Sequence, residues 1–423
     1  MTTPAPNSSH TALIVGGGAA GITVAASLRR RRPDLDIALI EPSEDHYYQA
    51  AFTLVGGGAY ALERTRRRES TLIPEGVTWI RQAAAGFDPD NNRVELADGN
   101  HVNYRYLVVC PGLQLDWGGI DGLTEALGKN GVCSNYDPQL AAYTWDCIRA
   151  FRGGSALFTQ PDMPIKCPGA PQKIAYLAAD HFRRQGLLDN ADLRFTLAGE
   201  AIFSVKEFQR PLEQVAERYG IEVEYRKRLV AVDGNAREAV FETTGGNGDK
   251  EQVTHRFDLL HVTPPQSAPD FIKQSPLAND TGWVDVDIHS LRHNRYSNVF
   301  ALGDAAATPN SKTAAAVRLQ APVVVHNLLA ALAGQTLPQE YDGYASCPLV
   351  TAHGRVILAE FIYGGKVTPS FPLDPRRERR SMWWLKKYFL PLLYWDIMLK
   401  GRHWDIPHKP RPALTAELTG NRG

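Results

Sequence analysis

This sequence of 423 residues lacks closely spaced cysteines: it has five cysteines, and no two of them have the C-x-x-C spacing. This absence argues against a zinc site and against a disulfide-stapled scaffold, and no metal is expected. A C-x-x-C-H motif is also missing, which excludes a c-type haem carried by this chain. The formal net charge is +0, so no nucleic-acid partner is expected either.

Long apolar runs are equally scarce. The N-terminus is polar, with neither an apolar signal region nor an Arg-rich presequence, so no export signal is predicted. The longest apolar stretch, residues 314–334, is interrupted by Arg318, Gln320 and His326. It indicates a buried helix rather than a membrane span. A chain of this length is too long to fold around one compact hydrophobic core, so we expect two or three domains.

The N-terminal region carries a nucleotide-binding pattern. Residues 11–17 have the character of a buried parallel strand, a helix is predicted from about residue 20 to 31, and a second strand at 37–40 ends in Glu41. Gly16, Gly18 and Gly21 form a G-x-G-x-x-G between the first strand and the helix, where backbone amides can approach a pyrophosphate. Glu41, twenty residues beyond Gly21, is placed to bind a ribose. The alternative is a glycine-rich structural turn.

A second motif lies late in the chain. Residues 298–304 are an apolar strand that ends in Gly303 and Asp304. This pattern resembles the second flavin motif of flavoproteins with two dinucleotide-binding domains, in which the aspartate contacts FAD. Taken alone, it is equally consistent with an ordinary strand-to-helix turn, but together the two motifs favour FAD over NAD.

A second α/β unit is predicted between these motifs, with strands at 155–159, 193–197 and 222–225 and a helix at 172–184. From Asp258 the pattern returns to the first unit, with a strand at 259–262. The loop at 160–167 has no glycine-rich phosphate cradle, which indicates loss of a nicotinamide site. It holds Cys167 beside Lys166, just before the helix, and both features favour the thiolate. Cys110 and Cys147 are interpreted as buried small side chains.

The C-terminal stretch interleaves aromatic and basic residues. Trp383, Trp384, Trp395 and Trp404 alternate with arginines and lysines, and Pro391 should divide the stretch into two short helices. This composition favours an amphipathic segment that lies on a membrane surface. A packed terminal helix and a dimer interface are the alternatives.

Several stretches resemble sulfide:quinone oxidoreductases, of the type that includes the mitochondrial enzyme and bacterial relatives. The resemblance runs from the N-terminus to about residue 402. The matching stretches are residues 41–44 with Tyr48 and Gln49, 165–174 (IKCPGAPQKI), 261–265 (HVTPP), 282–287 (GWVDVD), 311–317 (SKTAAAV), 341–344 (YDGY) and 346–350 (SCPLV).

The resemblance implies a peripheral-membrane FAD enzyme that oxidises hydrogen sulfide to sulfane sulfur and passes two electrons to ubiquinone or a similar quinone. Cys167 would be the thiolate next to flavin C4a and Cys347 the partner that takes the sulfur. Cys133 is a third candidate thiol, and Phe361 and Tyr394 are candidate quinone contacts. The candidate FAD-contacting residues are Gly16, Gly18, Ala19, Ala20, Gly21, Glu41, Gln49, Ala84, Gly303, Asp304, Lys312, Thr313, Ala314 and Ala315.

The fold class expected is α/β, with two Rossmann-like domains and a C-terminal amphipathic, membrane-associating helical segment. The predicted domains are residues 1–115 with 260–345 (FAD-binding), 116–259 (second Rossmann-like domain) and 346–423 (C-terminal region). The sulfur acceptor would be sulfite, glutathione or sulfide. The sequence leaves the oligomeric state open, with a homo-oligomer as one alternative. The location expected is the bacterial inner membrane, on an undetermined side.

Three other functions fit parts of the pattern. One is a type II NADH:quinone oxidoreductase, which would need a second nucleotide loop. Another is a redox-sensing flavoprotein whose cysteines switch conformation without turnover. A flavocytochrome-type sulfide dehydrogenase subunit is disfavoured because an export signal is missing and the basic aromatic stretch suits quinone.

Overall fold

The structure is a computed structural model that describes residues 8–244 and 249–402. Residues 245–248, and Trp404 of the C-terminal stretch, lie outside the described residues. The strands are β1 (Ser9–Val15), β2 (Ile37–Ile40), β3 (Asp45–Tyr47), β4 (Arg66–Arg68), β5 (Val77–Ile80), β6 (Ala84–Asp88), β7 (Arg93–Leu96), β8 (His101–Val109), β9 (Gln114–Leu115), β10 (Val132–Cys133), β11 (Gly154–Gln160), β12 (Ala191–Leu197), β13 (Glu222–Tyr225), β14 (Lys227–Asp233), β15 (Glu238–Thr244), β16 (Lys250–Arg256), β17 (Leu259–His261), β18 (Gln266–Ser267), β19 (Val299–Ala301), β20 (Ala345–Ala352) and β21 (Arg355–Phe361). The α-helices are α1 (Ala19–Arg31), α2 (Phe52–Gly56), α3 (Leu123–Ala126), α4 (Pro138–Ala150), α5 (Ala170–Arg184), α6 (Lys206–Tyr219), α7 (Asp270–Lys273), α8 (Ala314–Leu332), α9 (Arg380–Trp384) and α10 (Leu390–Leu392).

The first sheet has seven strands in the order β5-β2-β1-β8-β7-β6, and β19 also pairs with β8. Strands β5, β2, β1, β8 and β19 run parallel. The apolar residues at the end of β1 are buried because both faces of a parallel sheet are covered. Helix α1 packs beside α8 and ends in three arginines, whose charges suit the negative end of the helix dipole. Residues 77–80 form β5, which extends this sheet beyond β2.

The second sheet has five parallel strands in the order β10-β17-β11-β12-β13, and a three-stranded antiparallel sheet, β14-β15-β16, adjoins it. Here the sequence-based assignment of residues 259–262 was wrong. Strand β17 pairs in parallel with β10 and β11 of the second sheet, not with the first. A short buried apolar run shows that it is a strand, but it does not show which sheet it joins.

The C-terminal region begins with the antiparallel hairpin β20–β21 and continues into a helical run from Arg380 to Lys400. Cys347 therefore lies in strand β20. The predicted break at Pro391 is absent from the described part of the run. Five-residue π-helical turns, Leu385–Phe389 and Leu393–Ile397, flank α10, and Pro391 lies in its first turn, where a proline is tolerated.

Helix α8 is long and apolar enough to meet the length and composition of a membrane span, but more than half of its most apolar window is buried inside the protein. Among the described residues it is the one helix that meets them. It packs against α1, and its first residues lie at the cavity described below. This agrees with the buried helix predicted from the sequence.

Candidate active site

A cavity of about 890 Å³ lies where the first domain, the second domain and the C-terminal helical run meet. This volume lies at the upper end of the range for cofactor and ligand sites. Most of the predicted cofactor residues line it, as does the predicted thiolate. The predicted residues in its wall are Gly18, Ala19, Ala20, Glu41, Gln49, Cys167, Gly303, Asp304, Lys312, Thr313, Ala314, Ala315 and Tyr394.

Each glycine of the first motif has a separate reason for its place. Gly16 has φ +105°, and a Cβ there would lie 2.5 Å from the Cα of Pro111. A Cβ on Gly21 would collide with the carbonyl oxygen of Gly16. Gly18 is different, because no described atom lies within 4 Å of the place where its Cβ would be. It borders the cavity at the start of α1, and this open cradle fits a pyrophosphate at a helix N-terminus.

Glu41 is the acidic residue of the motif. One carboxylate oxygen accepts a hydrogen bond from the backbone N–H of Gly17 and the other from that of Ser43, both at 2.7 Å. Burial raises the pKa of this carboxyl. A carboxylate can accept about four hydrogen bonds, so two positions stay open for ribose hydroxyl groups. The residues present therefore fit the adenosine half of FAD.

The opposite part of the cavity is formed by the second motif and α8. The Lys312 ammonium donates to the carbonyl oxygens of Asp304, at 2.6 Å, and Ala306, at 3.2 Å, and lies 3.9 Å from the centre of the Trp283 ring. Burial lowers the pKa of Lys312 to about 8. The side-chain oxygen of Gln49 accepts a hydrogen bond from Lys166 at 2.7 Å. These contacts hold the Lys312 ammonium in place in this wall.

The backbone of Cys167 adopts a left-handed conformation, with φ +51°. This conformation is uncommon for a residue with a side chain and is found more often at functional sites. The Cys167 N–H donates to the carbonyl oxygen of Lys312 at 2.8 Å, and the Cys167 carbonyl accepts from the first residue of α5, Ala170, at 2.7 Å. These bonds hold the thiol against the first domain at the entrance to α5.

Cys347 lies directly behind Cys167. Its strand approaches the Cys167 segment closely, since a Cβ on Gly169 would lie 2.8 Å from the Cys347 Sγ. Cys347 is 1% exposed and does not itself border the cavity, although Ser346 and Pro348 do. No disulfide joins Cys167 and Cys347 in this structure.

The charges around the pair separate the two thiols chemically. Interaction with the Cys347 thiol, followed by the charge of Lys173, holds the pKa of Cys167 well below its usual value, despite burial. The same interaction with Cys167, together with burial, raises the pKa of Cys347. The Lys173 ammonium donates to the Cys167 sulfur at 3.0 Å. The Lys173 hydrogen bond thus favours the thiolate form of Cys167, with Cys347 as its protonated partner.

Lys173 is a fully enclosed cation, 2% exposed. Burial acts to lower its pKa, but the two cysteines outweigh burial and raise it. Lys173 follows Cys167 by six residues, in the first turn of α5. Lys173 was not among the predicted site residues, although a lysine in the first turn of the helix that follows a reactive cysteine was a readable signal.

A second buried cation reaches the thiols from the C-terminal run. Lys386 is 4% exposed, and its ammonium donates to the carbonyl oxygen of Ala50 at 2.7 Å. Burial, together with the charge of Lys173, lowers the pKa of Lys386 to about 8, while Cys167 and Cys347 act to raise it. This lysine was grouped with the membrane-facing cations, but it points into the protein. Nothing in the sequence connects residue 386 to residue 167.

Another set of contacts ties the C-terminal run to the first domain. The Tyr394 hydroxyl lies 2.6 Å from His46 Nε2, and His46 Nδ1 lies 3.2 Å from a carboxylate oxygen of Glu69. All three side chains are buried, and all three border the cavity. Tyr394 also packs on Tyr48, with ring centres 4.6 Å apart. The sequence analysis identified Tyr394 but missed His46 and Glu69.

Some candidate residues lie elsewhere. Ala84 begins β6 and pairs with Leu96 of β7, away from the cavity lining. Phe361 packs against Phe203 in the core of the second domain. Cys133 is fully buried in β10 and also lies outside the lining. The aromatic residues of the cavity wall that sequence reasoning missed are Tyr47, Tyr48, Phe52, Tyr136, Tyr344, Phe371 and Phe389.

Replacement Gly18→Ala should weaken FAD binding without unfolding the chain, because the new methyl group fills the cradle at the start of α1. We expect FAD retention after gel filtration to fall about tenfold, equivalent to ~1.4 kcal/mol. Flavin absorbance per chain and the melting temperature of the apoprotein measure the two effects. Gly118→Ala, at an exposed glycine far from the motif, is the control. Normal FAD content in Gly18→Ala would contradict the assignment of the cradle.

Replacement Lys386→Met should raise the pKa of Cys167, because a positive charge near the thiolate is lost. A lost neighbouring charge shifts a pKa by about 1–3 units, and Lys173→Met should have the larger effect since Lys173 contributes more. Lys386 is charged below its pKa of about 8, so its support for the thiolate is present there and lost at higher pH. The rate of Cys167 alkylation against pH, followed by peptide mass, measures the shift.

Lys387→Met is the matched control for that measurement. Lys387 is the next residue on the same π turn, but its ammonium lies over the rings of Trp383 and Tyr388 instead of reaching the thiols. Its alkylation profile should match that of the unchanged protein. Equal profiles for the two lysine variants would contradict the role given to Lys386.

Comparisons with known proteins agree with this geometry. Residues 10–139 match the family described as pyridine nucleotide-disulphide oxidoreductase. A solved structure of the sulfide:quinone oxidoreductase from Aquifex aeolicus superposes with a TM-score of 0.75 at 19% identity, covering 93% of this chain and 92% of that one. At this identity the likeness concerns the fold, and it confirms the predicted two-domain flavoprotein architecture.

Closer relatives identify the family. A Dictyostelium discoideum protein named mitochondrial sulfide:quinone oxidoreductase is 44% identical over 409 residues, covering 96% of this chain and 89% of the relative. A Mus musculus protein of the same name is 42% identical over 395 residues, covering 93% and 87%. These names give no support to the bacterial inner membrane as the location. Because the similarity extends over nearly the whole chain at this level of identity, the chain belongs to the sulfide:quinone oxidoreductase family.

Proposed function

We propose that the chain oxidises hydrogen sulfide to sulfane sulfur at the Cys167–Cys347 pair and passes two electrons through FAD to a membrane quinone. The observation that supports this proposal is the thiol pair itself. One thiol is held as a thiolate on the cavity wall, the other is protonated behind it, and two buried lysines lie beside them. FAD, the cofactor of this family, supplies a two-electron acceptor between the thiols and the quinone.

The roles of the two cysteines follow from their charges. In the oxidised pair, hydrosulfide attacks the Cys347 sulfur, the bond to Cys167 breaks, and Cys167 leaves as a thiolate. Lys173 and Lys386 stabilise that leaving group. The attacking sulfur stays on Cys347 as a persulfide, from which its outer sulfur passes to sulfite, glutathione or a second sulfide. When the Cys167–Cys347 bond forms again, the Cys347 proton leaves and the pair gives up two electrons, which FAD would accept.

The loop that carries Cys167 also argues against nicotinamide as electron donor. In a Rossmann-like domain, the turn between the first strand and its helix receives the pyrophosphate. Here that turn, between β11 and α5, lies against the first domain: Lys166 and Lys312 form an isolated bridge, and the Lys166 N–H donates to Gln266 at 2.8 Å. The turn thus positions a thiol, which disfavours a type II NADH:quinone oxidoreductase.

The quinone would enter beside the C-terminal helical run. Leu385, Phe389, Leu390 and Leu393 of this run line the cavity, and Phe389 is also 43% exposed. Trp384 and Leu392 nearby are 63% and 51% exposed. Large apolar side chains exposed together mark an interaction surface, and with lysines among them they suit a lipid headgroup region. This supports a peripheral place on a membrane.

The variants Cys167→Ser and Cys347→Ser test the thiol pair. Each should lose bleaching of the flavin by sulfide, since the exchange needs both sulfurs, while FAD content stays normal. Anaerobic absorbance spectra during sulfide addition measure this, and Cys147→Ser is the control, because Cys147 lies on helix α4 outside the cavity lining. Bleaching at the normal rate in either variant would refute the pair mechanism. Bleaching by NADH would revive the nicotinamide alternative.

The double variant Trp384→Glu with Leu392→Glu tests the membrane surface. Two acidic groups on this face should abolish cosedimentation with phosphatidylcholine–phosphatidylglycerol vesicles, while bleaching by sulfide continues. Val253→Glu is the matched control, because Val253 is a similarly apolar side chain, 38% exposed, on the separate β14-β15-β16 sheet. Unchanged sedimentation of the double variant would remove the membrane proposal and leave the packed-helix alternative.

A further inference from the structure

A second pair of thiols lies outside the cavity. Cys133 ends β10 and is fully buried, whereas Cys147 is in the last turn of α4 and only partly buried. Helix α4 covers β10, the edge strand of the second sheet. The Tyr143 hydroxyl, one helical turn before Cys147, accepts a hydrogen bond from the Gly131 N–H at 3.2 Å. This bond fastens the helix to the strand next to the thiols.

The two thiols differ in the same sense as the catalytic pair. Interaction with the Cys133 thiol, helped by the Tyr143 hydroxyl, lowers the pKa of Cys147. Burial, followed by the interaction with Cys147, raises the pKa of Cys133. The partly accessible member is therefore the better nucleophile, and the enclosed member is a protonated thiol beside it. In the sequence analysis Cys147 was interpreted as an inert buried side chain, and Cys133 was considered only as a third flavin-side thiol.

We propose that Cys147 is a modification site that accepts sulfane sulfur, and that Cys133 is its resolving thiol, so that the two form a second disulfide when sulfane sulfur accumulates. This rests on the proposed function only as the source of sulfane sulfur. The oxidant is a hydrodisulfide, which forms when a second sulfide takes the persulfide sulfur from Cys347.

The chemistry balances in two exchange steps. In the first, the Cys147 thiolate attacks one sulfur of the hydrodisulfide, the sulfur–sulfur bond of the hydrodisulfide breaks, and hydrosulfide leaves. Cys147 then carries a persulfide. In the second step, the Cys133 sulfur attacks the inner sulfur of that persulfide, and the outer sulfur leaves with the Cys133 proton as a second hydrogen sulfide. Two protein thiols are oxidised by two electrons, and one hydrodisulfide is reduced to two sulfides.

The position of the pair connects it to the catalytic cavity. Two and three residues after Cys133, Asn135 and Tyr136 form part of the cavity wall. Cys133 is paired with His261 of β17, and His261 Nε2 accepts the Asn135 N–H at 3.0 Å. A disulfide between β10 and α4 would act on the segment that carries Asn135 and Tyr136, and so on the cavity wall. Accumulated sulfane sulfur would in this way alter the site that produces it.

The test uses the FAD-loaded protein, reduced and desalted without oxygen, and sodium disulfide as the source of hydrodisulfide. After alkylation of the remaining thiols and non-reducing digestion, we expect a peptide joined through Cys133 and Cys147. In Cys133→Ser the joined peptide should be lost, and Cys147 should be recovered with one extra sulfur atom. In Cys147→Ser both products should be lost, while bleaching of the flavin by sulfide is unchanged. Cys110→Ser should give the joined peptide as before.

The outcomes separate this proposal from the proposed function. Cys167→Ser disables the catalytic pair, yet added sodium disulfide should still join Cys133 to Cys147. No joined peptide in the unchanged protein would overturn the proposal. So would a Cys147 persulfide that accumulates there while Cys133 is alkylated as a free thiol, because Cys133 would then not resolve it. Neither result would affect sulfide oxidation at Cys167 and Cys347.

Discussion

The arrangement around the cavity depends on stabilising the buried thiolate of Cys167. An enclosed anion is costly unless compensating charge and hydrogen bonds accompany it, and Cys167 has both. Lys173 donates directly to its sulfur, the Cys347 thiol provides a protonated partner, and Lys386 adds a second positive charge. The lysines in turn are charged in a buried place because the thiolate is there. The buried charge of each group in this set is stabilised by the opposite charges of the others.

This dependence explains why three parts of the chain meet at one point. The second domain supplies Cys167 and Lys173 at the start of α5, the hairpin β20–β21 supplies Cys347, and the helical run supplies Lys386. The first domain anchors the thiolate segment through the Lys312 carbonyl and the helical run through Ala50 and His46. The surface proposed to meet the membrane is thereby coupled to the sulfide side of the cavity.

Local patterns were enough to predict much of this. Strands β2 and β13 lie where their apolar or alternating runs predicted them, and α1 lies within one residue of its expected start. The G-x-G-x-x-G and the Gly-Asp motif were readable because each is a short segment whose chemistry depends on its own backbone. The partner of β17 and the continuity of the helical run past Pro391 were not readable. Sheet membership and π turns depend on neighbours that are distant in the sequence.

The sequence by itself determined the chemistry on offer: a nucleotide cradle, a cysteine before a helix, a missing nicotinamide loop, and an aromatic basic segment. These properties reside in residue types and short spacings, so they survive without a fold. The tertiary structure decided which lysines stabilise the Cys167 thiolate, and that Cys133 and Cys147 lie together outside the cavity. Those outcomes depend on burial and on distances between segments, because electrostatic energy in a protein interior is set by the nearest charges and not by order along the chain.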